Sequence, residues 1–439
     1  MRIWVRIEVP DVRLLHYPPN PATQQPKPTD ARDFHTLAEM VMMGSMRSRT
    51  SRIIGFGVAA LLVGVTTLPN SAFAARARLG ANRPSLKQPC ADAFKRFDNF
   101  GATVAISGAV AVVGAPGVNS NAGLACVYAR SRRGWRLQAS LKNPEATNQD
   151  QFGFAVAVTS GPSGSYALIG TAGTVSYIFV RSGRSWRLQA TLKDPHPVAT
   201  ASFGYSVAIA GSLAVVGSPD GYLTIGRAYL YRRSGSSWRL LASFADTGAK
   251  SDKGYGQAVA LSGTTAVIGD WTAHGYGGAA LIYGHRTPGK WRLQAALAGP
   301  RGVHQANFGT AVAISGPTAA IGTGVSTVYV FRHLRQKWRR VAKLTEPHGP
   351  PHNEFGTAVA VDGTRMLVGD PRPSNRGCAA AYEFRPSGRM WKERAQIFNP
   401  GCKRNDWFGG AVSISGRTGL IGAPELDNWS GTAYWLTLP

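Results

Sequence analysis

The chain has 439 residues, and its 52 glycines make about 12%, against roughly 7% in an average protein. Lys+Arg 49 against Asp+Glu 23 leaves a formal charge of +26, yet charged residues are only 16% of the chain. Few charges of mostly one sign, with abundant glycine, exclude a coiled coil and an ordinary helical enzyme. An apolar content of 44% excludes wholesale disorder, and glycine is not every third residue, which excludes collagen.

In chain order, residues 1–45 are Pro-rich around Pro18 to Pro28 and show no sustained period. Met46 to Arg52 is a basic start, 53–67 is a short apolar run, and Ala72 and Ala74 form an A-x-A site. This is the pattern of a secretory signal cleaved after Ala74. A transmembrane helix needs about twenty apolar residues and would not end in A-x-A. The expected organisation is therefore a non-native extension over 1–45, with translation starting at Met46, then a signal over 46–74. A linker over 75–84 and an exported domain over 85–439 follow, with no transmembrane segment in the mature chain. Residues 1–74 hold eight basic and five acidic side chains, so the mature part keeps 41 minus 18, or +23.

A repeat then governs everything that follows. Aromatic-Gly pairs stand at Phe100-Gly101, Phe152-Gly153, Phe203-Gly204, Tyr255-Gly256, Phe308-Gly309, Phe355-Gly356 and Phe408-Gly409, spaced 52, 51, 52, 53, 47 and 53. A second glycine follows thirteen residues after the first at Gly114, Gly217, Gly269, Gly322, Gly369 and Gly422; the second repeat reaches Gly170 after an insertion. Trp135, Trp186, Trp238, Trp291, Trp338 and Trp391 each precede the next aromatic-Gly pair by seventeen positions. Each unit reads as four short strands, in the first repeat Phe100–Ser107, Val110–Gly114, Leu124–Arg130 and Trp135–Leu141. The first two strands are small or apolar on both faces, as expected of a sheet sandwiched between two others. The predicted fold is all-β, a seven-bladed β-propeller of four-stranded antiparallel blades.

Repeat seven stops at Pro439 without a fourth strand. Ser85-Leu86-Lys87-Gln88-Pro89 matches the fourth-strand ends Ser140-Leu141-Lys142-Asn143-Pro144 and Thr191-Leu192-Lys193-Asp194-Pro195. The N-terminal strand is therefore expected to complete blade seven and close the ring, with Pro84 tolerated on a free edge.

The Phe-Gly pairs together with Gly114-Ala115-Pro116, Gly422-Ala423-Pro424 and the near match Gly217-Ser218-Pro219 resemble FG-GAP repeats. The resemblance covers 85–439 and implies the seven-bladed propeller of integrin α subunits and many bacterial surface proteins. It also implies a binding or adhesion module. Relatives of the integrin type often carry an Asp/Asn-rich calcium loop after the aromatic-Gly strand. Here that turn is Ser-Gly or Ala-Gly, and only Asp362-Gly363-Thr364 offers an acid. One carboxylate does not make a six-to-eight-oxygen site, so no calcium and no other cofactor is expected.

No nucleophile elbow, Walker loop or zinc motif is present. His196, His274, His304 and His352 are scattered without ligand spacing. Asp220, Asp270 and Asp370 stand at or beside the Gly-Ala-Pro position, either as a carboxylate ring at the channel mouth or as turn formers. The four cysteines read as disulfides of an exported chain, Cys90–Cys126 and Cys378–Cys402 being preferred among three pairings, or else as four buried thiols.

The turns between third and fourth strands carry the chemical signal. Their six windows hold 21 of the 41 mature basic residues and no acid. Arg130, Arg132, Arg133, Arg136, Arg184, Arg187, Arg232, Arg233, Arg239, Arg292, Arg335, Lys337, Arg339, Arg389 and Lys392 would form a cationic rim for a polyanion. Alternatively they keep exposed strand edges soluble, while the tryptophans pack on neighbouring blades. At the opposite end, Tyr222, Trp271, Tyr276 and Trp429 sit on long loops, as binding residues or as packing caps. The reading is a secreted or cell-surface monomer that binds an anionic envelope polymer or an extracellular protein or glycan, not nucleic acid. The alternatives are a polysaccharide hydrolase or lyase using the propeller mouth, and a structural scaffold.

Overall fold

The computed structural model describes residues 75–78, 90 and 95–439, apart from 146–149, 198–201, 220–224, 246–253, 286–289, 300–305, 348–353, 373–378, 389 and 400–405. All of them fall in the compact unit Asn70–Pro439. The expected signal, the extension before it and the closing segment 85–89 lie outside the described residues.

Seven antiparallel sheets follow one another at 103–142, 155–193, 206–244, 255–298, 312–345, 359–398 and 411–437. Blade one shows the plan: inner strand Thr103–Ser107, then Val110–Ala115, Leu124–Ser131 and outer strand Gly134–Lys142. Each strand pairs with the next in sequence, so a blade grows outward from a central axis. Val110–Ala115 is buried along its whole length, because small and β-branched residues on both faces meet the blades on either side. Apolar side chains from adjacent blades form shared clusters, such as Val112, Val127, Phe152 and Ile169 between blades one and two.

The glycines of the repeat are the hinge pins of this stacking. A Cβ on Gly114 would collide with the carbonyl oxygen of Gly153, and the same clash faces Gly170 with Gly204, Gly217 with Gly256 and Gly269 with Gly309. It recurs for Gly322 with Gly356 and Gly369 with Gly409. The seventh instance, Gly422 with Gly101, joins the last blade to the first. The backbones touch where wedge-shaped sheets converge, and only glycine leaves room.

Closure is thus made by the same contact as every other interface. Phe100 bridges Gly431 as Phe152 bridges Gly123 and Phe308 bridges Gly278. Phe100, Val104 and Val113 pack with Leu420 and Ala433 of blade seven. Among the described residues blade seven has three strands. The stretch expected as linker begins instead with a strand, Ala75–Arg78, which pairs in parallel with Met390–Phe398 on the outer edge of blade six. An outer strand offers unpaired backbone groups, which explains why an extended segment can add there.

A girdle of hydrogen bonds runs around the end where inner strands turn back. The Gly108 amide donates to Ser415 Oγ (3.0 Å), Gly316 to Ser262 Oγ (3.0 Å) and Gly363 to Ser315 Oγ (3.0 Å). Gly211 donates to Thr159 Oγ1, Ser160 to Ser107 Oγ and Gly416 to the Asp362 carboxylate. Each side chain hooks its neighbouring blade. The lone acid of these turns, Asp362, serves as one of the hooks. Blade three carries Ala210 at the hook position and has no side-chain acceptor to offer blade four.

Candidate functional site

Inner strands run from the aromatic-Gly end toward the Ser-Gly turns, so antiparallel pairing puts the turns between third and outer strands at that same end. In five of the six blades these turns are two-residue hairpins, for example Ser131 opposite Gly134, Ser182 opposite Ser185 and Leu334 opposite Lys337, while blade four joins Gly284 to Arg292 by a longer loop. Between Leu334 and Lys337, Arg335 and Gln336 both take left-handed backbone, φ 46° and 64°, a geometry that favours Asn-Gly.

Arg132, Arg133, Arg136, Arg184, Arg187, Arg232, Arg239, Arg292, Arg335, Lys337, Arg339 and Lys392 are all exposed. The salt bridges among the described residues are Arg365–Glu383, Arg385–Glu383 and Arg372–Glu354, so none of these twelve has an acidic partner there. Arg130 is exposed but donates to Thr418 Oγ1 of blade seven (3.3 Å). Arg233 is half-buried over the ring of Tyr166 (4.8 Å). Arg389 lies outside the described residues. Buried Glu383, on the third strand of blade six, is neutralised by Arg365 (2.8 Å) and Arg385 (2.7 Å).

The tryptophans beside these turns belong to the interfaces. Trp186 Nε1 donates to Gln138 Oε1 and Trp238 Nε1 to Gln189 Oε1, both at 2.9 Å. Gln138 and Gln189 are the extra residues of β-bulges, since Tyr128 pairs with Leu137 while Val127 pairs with Ala139, and likewise one blade on. Trp238 also packs edge-on against Tyr166 (6.2 Å) and Trp291 against Phe244 (6.3 Å).

Cys90 and Cys126 are joined as a disulfide, Cα–Cα 5.8 Å, with Ser140 Oγ donating to the Cys90 carbonyl (2.7 Å). Cys378 and Cys402 lie outside the described residues.

The loop aromatics do not converge. Trp271 and Tyr276 pair at 5.5 Å on blade four, where Tyr276 is 48% exposed. Trp429, 41% exposed, pairs with Phe97 at 6.5 Å on blade seven. Tyr222 lies outside the described residues. A short helical turn, Val118–Asn121, Ala273–Tyr276 or Leu426–Trp429, follows the second strand in blades one, four and seven. It ends in Gly123, Gly278 or Gly431, each of which meets the next blade's phenylalanine.

The carboxylates at this end have separate jobs. Asp270 Oδ1 accepts from Thr272 N (3.2 Å), Thr272 Oγ1 (2.9 Å) and Ala273 N (3.2 Å), fixing its turn. Asp370 is buried, and that burial, reinforced by Glu346 and then Glu354, raises its pKa to about 8. Burial first, and then the neighbouring Glu346 carboxylate, therefore favour the protonated form of Asp370. Burial also raises Glu354, against the pull of Arg372 (3.3 Å), whose guanidinium lies 4.7 Å from the Trp407 ring centroid. Neither Asp270 nor Asp370 lines the central channel, so the carboxylate ring considered from sequence is not formed by them. Among the described residues no three His, Cys, Asp or Glu side chains are placed to share a metal ion.

The channel opens at this end as a cavity of about 510 Å³ to which all seven inner strands contribute. Its wall includes Asn99, Asn121, Gln151, Phe154, Tyr205 and Gln257. None of these was singled out from sequence. The available signal was the residue after each aromatic-Gly pair, which varies from blade to blade while its neighbours repeat.

The FG-GAP repeat family model matches residues 186–231, 338–384 and 391–436. Each match runs from the tryptophan of one blade into the third strand of the next. A comparison with curated proteins finds no match. Among solved structures, the Saccharomyces cerevisiae Sqt1 crystal structure is 9% identical with a TM-score of 0.43, covering 78% of this chain and 83% of that one. Chaetomium thermophilum Sqt1 bound to the N-terminus of ribosomal protein L10 is 12% identical with a TM-score of 0.49, covering 76% and 86%.

Proposed function

This chain carries FG-GAP repeats on a seven-bladed β-propeller, and on that premise we propose that it is an exported, non-enzymatic binding module. Its turn end docks an anionic polymer of the cell envelope. The observation that carries this reading is the set of twelve exposed basic side chains at one end, without acidic partners among the described residues. Solubility alone is served by mixed charge; a field of one sign instead concentrates polyanions at the surface. Placing Arg335 in a left-handed slot that asparagine or glycine fills more easily favours the same reading. Export supplies the setting, through the signal pattern ending at Ala74.

The test is binding of alginate and poly-γ-glutamate to the mature chain, followed by analysis of the polymers for cleavage. Retention without shortened products is the expected result. Released oligosaccharide would turn the reading to a hydrolase or lyase, and no retention at low salt would leave a scaffold.

A further inference from the structure

The residue that follows each aromatic-Gly pair occupies the same place in all seven blades: Ala102, Phe154, Tyr205, Gln257, Thr310, Thr357 and Gly410. Alanine and glycine suffice there, so the fold requires no large side chain at this position. Yet blades two and three place Phe154 and Tyr205 side by side on the cavity wall, half-buried, with ring centroids 4.9 Å apart at 53°. An aromatic step on one flank of a mouth that is small-walled at Ala102 and Gly410 breaks the symmetry of the ring.

Flanking the step are amides. Asn99, Asn121, Gln151 and Gln257 all line the cavity, and among the described residues that line it none is Asp, Glu, Lys, Arg or His. In a chain carrying +26, that uncharged lining is a chemical selection. An ion entering it would lose water without gaining a counter-charge. Asn99 is held with left-handed backbone, φ 54°, by its N–H donating to the Trp429 carbonyl (2.9 Å). Its side-chain oxygen is buried without a hydrogen-bond partner, so a donor is missing from that point of the wall. Burial raises the pKa of Tyr205, which keeps its hydroxyl protonated as a donor.

From this we infer that the channel mouth is a second binding site, for the end of a neutral glycan chain. Uncharged pyranose rings present C–H faces that stack on aromatic rings, and hydroxyl edges that pair with amides in both senses. The cavity volume of about 510 Å³ lies within the roughly 300–1,000 Å³ of small-ligand sites. It takes a chain end, while the bulk of a polymer stays outside. The site lies at the far end from the cationic turns and does not rest on their role.

Calorimetric titration of the mature chain with maltohexaose, cellohexaose and N-acetylchitohexaose tests the inference. At least one should bind, with affinity unchanged when salt is raised enough to shorten the screening length from about 10 Å to about 3 Å. Phe154→Ala with Tyr205→Ala should weaken that binding about tenfold or more. The double variant should melt like the parent, because blade one already carries alanine at this position. Gln257→Thr, which copies blade five, gives an independent loss through the amide. Neutralising the turn arginines should leave hexasaccharide binding intact. Absence of binding by all three sugars, salt-sensitive binding, or undiminished binding by the double variant would each overturn the inference.

Discussion

The two ends of the propeller share one backbone plan and differ in chemistry. At the turn end, five two-residue hairpins and one longer turn present guanidinium and ammonium groups to solvent. At the mouth end, connections vary, among the described residues three blades insert a helical turn, and most described acids gather, several of them buried. Asp98, Asp194, Asp270, Asp370 and Asp406 are all buried near that end, where Asp194 and Asp270 fix loops and burial raises the pKa of Asp370. The contrast shows that a repeating scaffold can multiply one surface charge six-fold on its regular side while its irregular side is free to become specific.

The contrast depends on a rigid ring, and the largest effect comes from breaking it. Gly422→Ala drives a methyl group into the Gly101 carbonyl and should cost about 3 kcal/mol or more, read by urea unfolding. A neutral effect would mean that blades seven and one are not in backbone contact.

A second variant acts on the mouth end alone. Because the folded Asp370 pKa is raised to about 8, the native state holds a proton that the unfolded chain releases near pH 4. Stability from this group is full below pH 4 and is lost as pH rises toward 8. Asp370→Asn removes that loss, so its stability advantage over the parent should grow from pH 5 to pH 8. An advantage that shrinks over that range would contradict the raised pKa of Asp370.

The smallest effects concern the hooks of the turn end. Ser415→Ala deletes the bond to the Gly108 amide and should cost about 1 kcal/mol in urea unfolding. Ala210→Ser supplies the acceptor that blade three lacks and should recover part of that amount. If neither variant moves the midpoint, the girdle contributes nothing to closure.

The architecture was legible because glycine, aromatic and tryptophan positions recur in register, and each recurrence reflects a contact made seven or six times. The interface role of the tryptophans followed from the same logic, though their Gln138 and Gln189 partners did not, since a bulge turns those side chains. The mouth was harder to read. Phe154 and Tyr205 are single departures at a position where alanine and glycine also stand, and only the ring brings them together. Glu346 and Asp370 belong to different blades, so no linear motif announces that their carboxylates raise one another's cost of ionisation. The strand Ala75–Arg78 pairs through backbone groups at an open edge, a contact that leaves no side-chain signature.

The most direct test of the charge assignment is the salt dependence of alginate binding by the mature chain and by a variant combining Arg133→Ser, Arg187→Ser, Arg239→Ser and Arg292→Ser. Tight binding at low salt that falls steeply as salt rises is expected, with an affinity about tenfold or more lower in the variant and a shallower salt slope. Equal affinities and slopes for the two proteins would contradict that assignment.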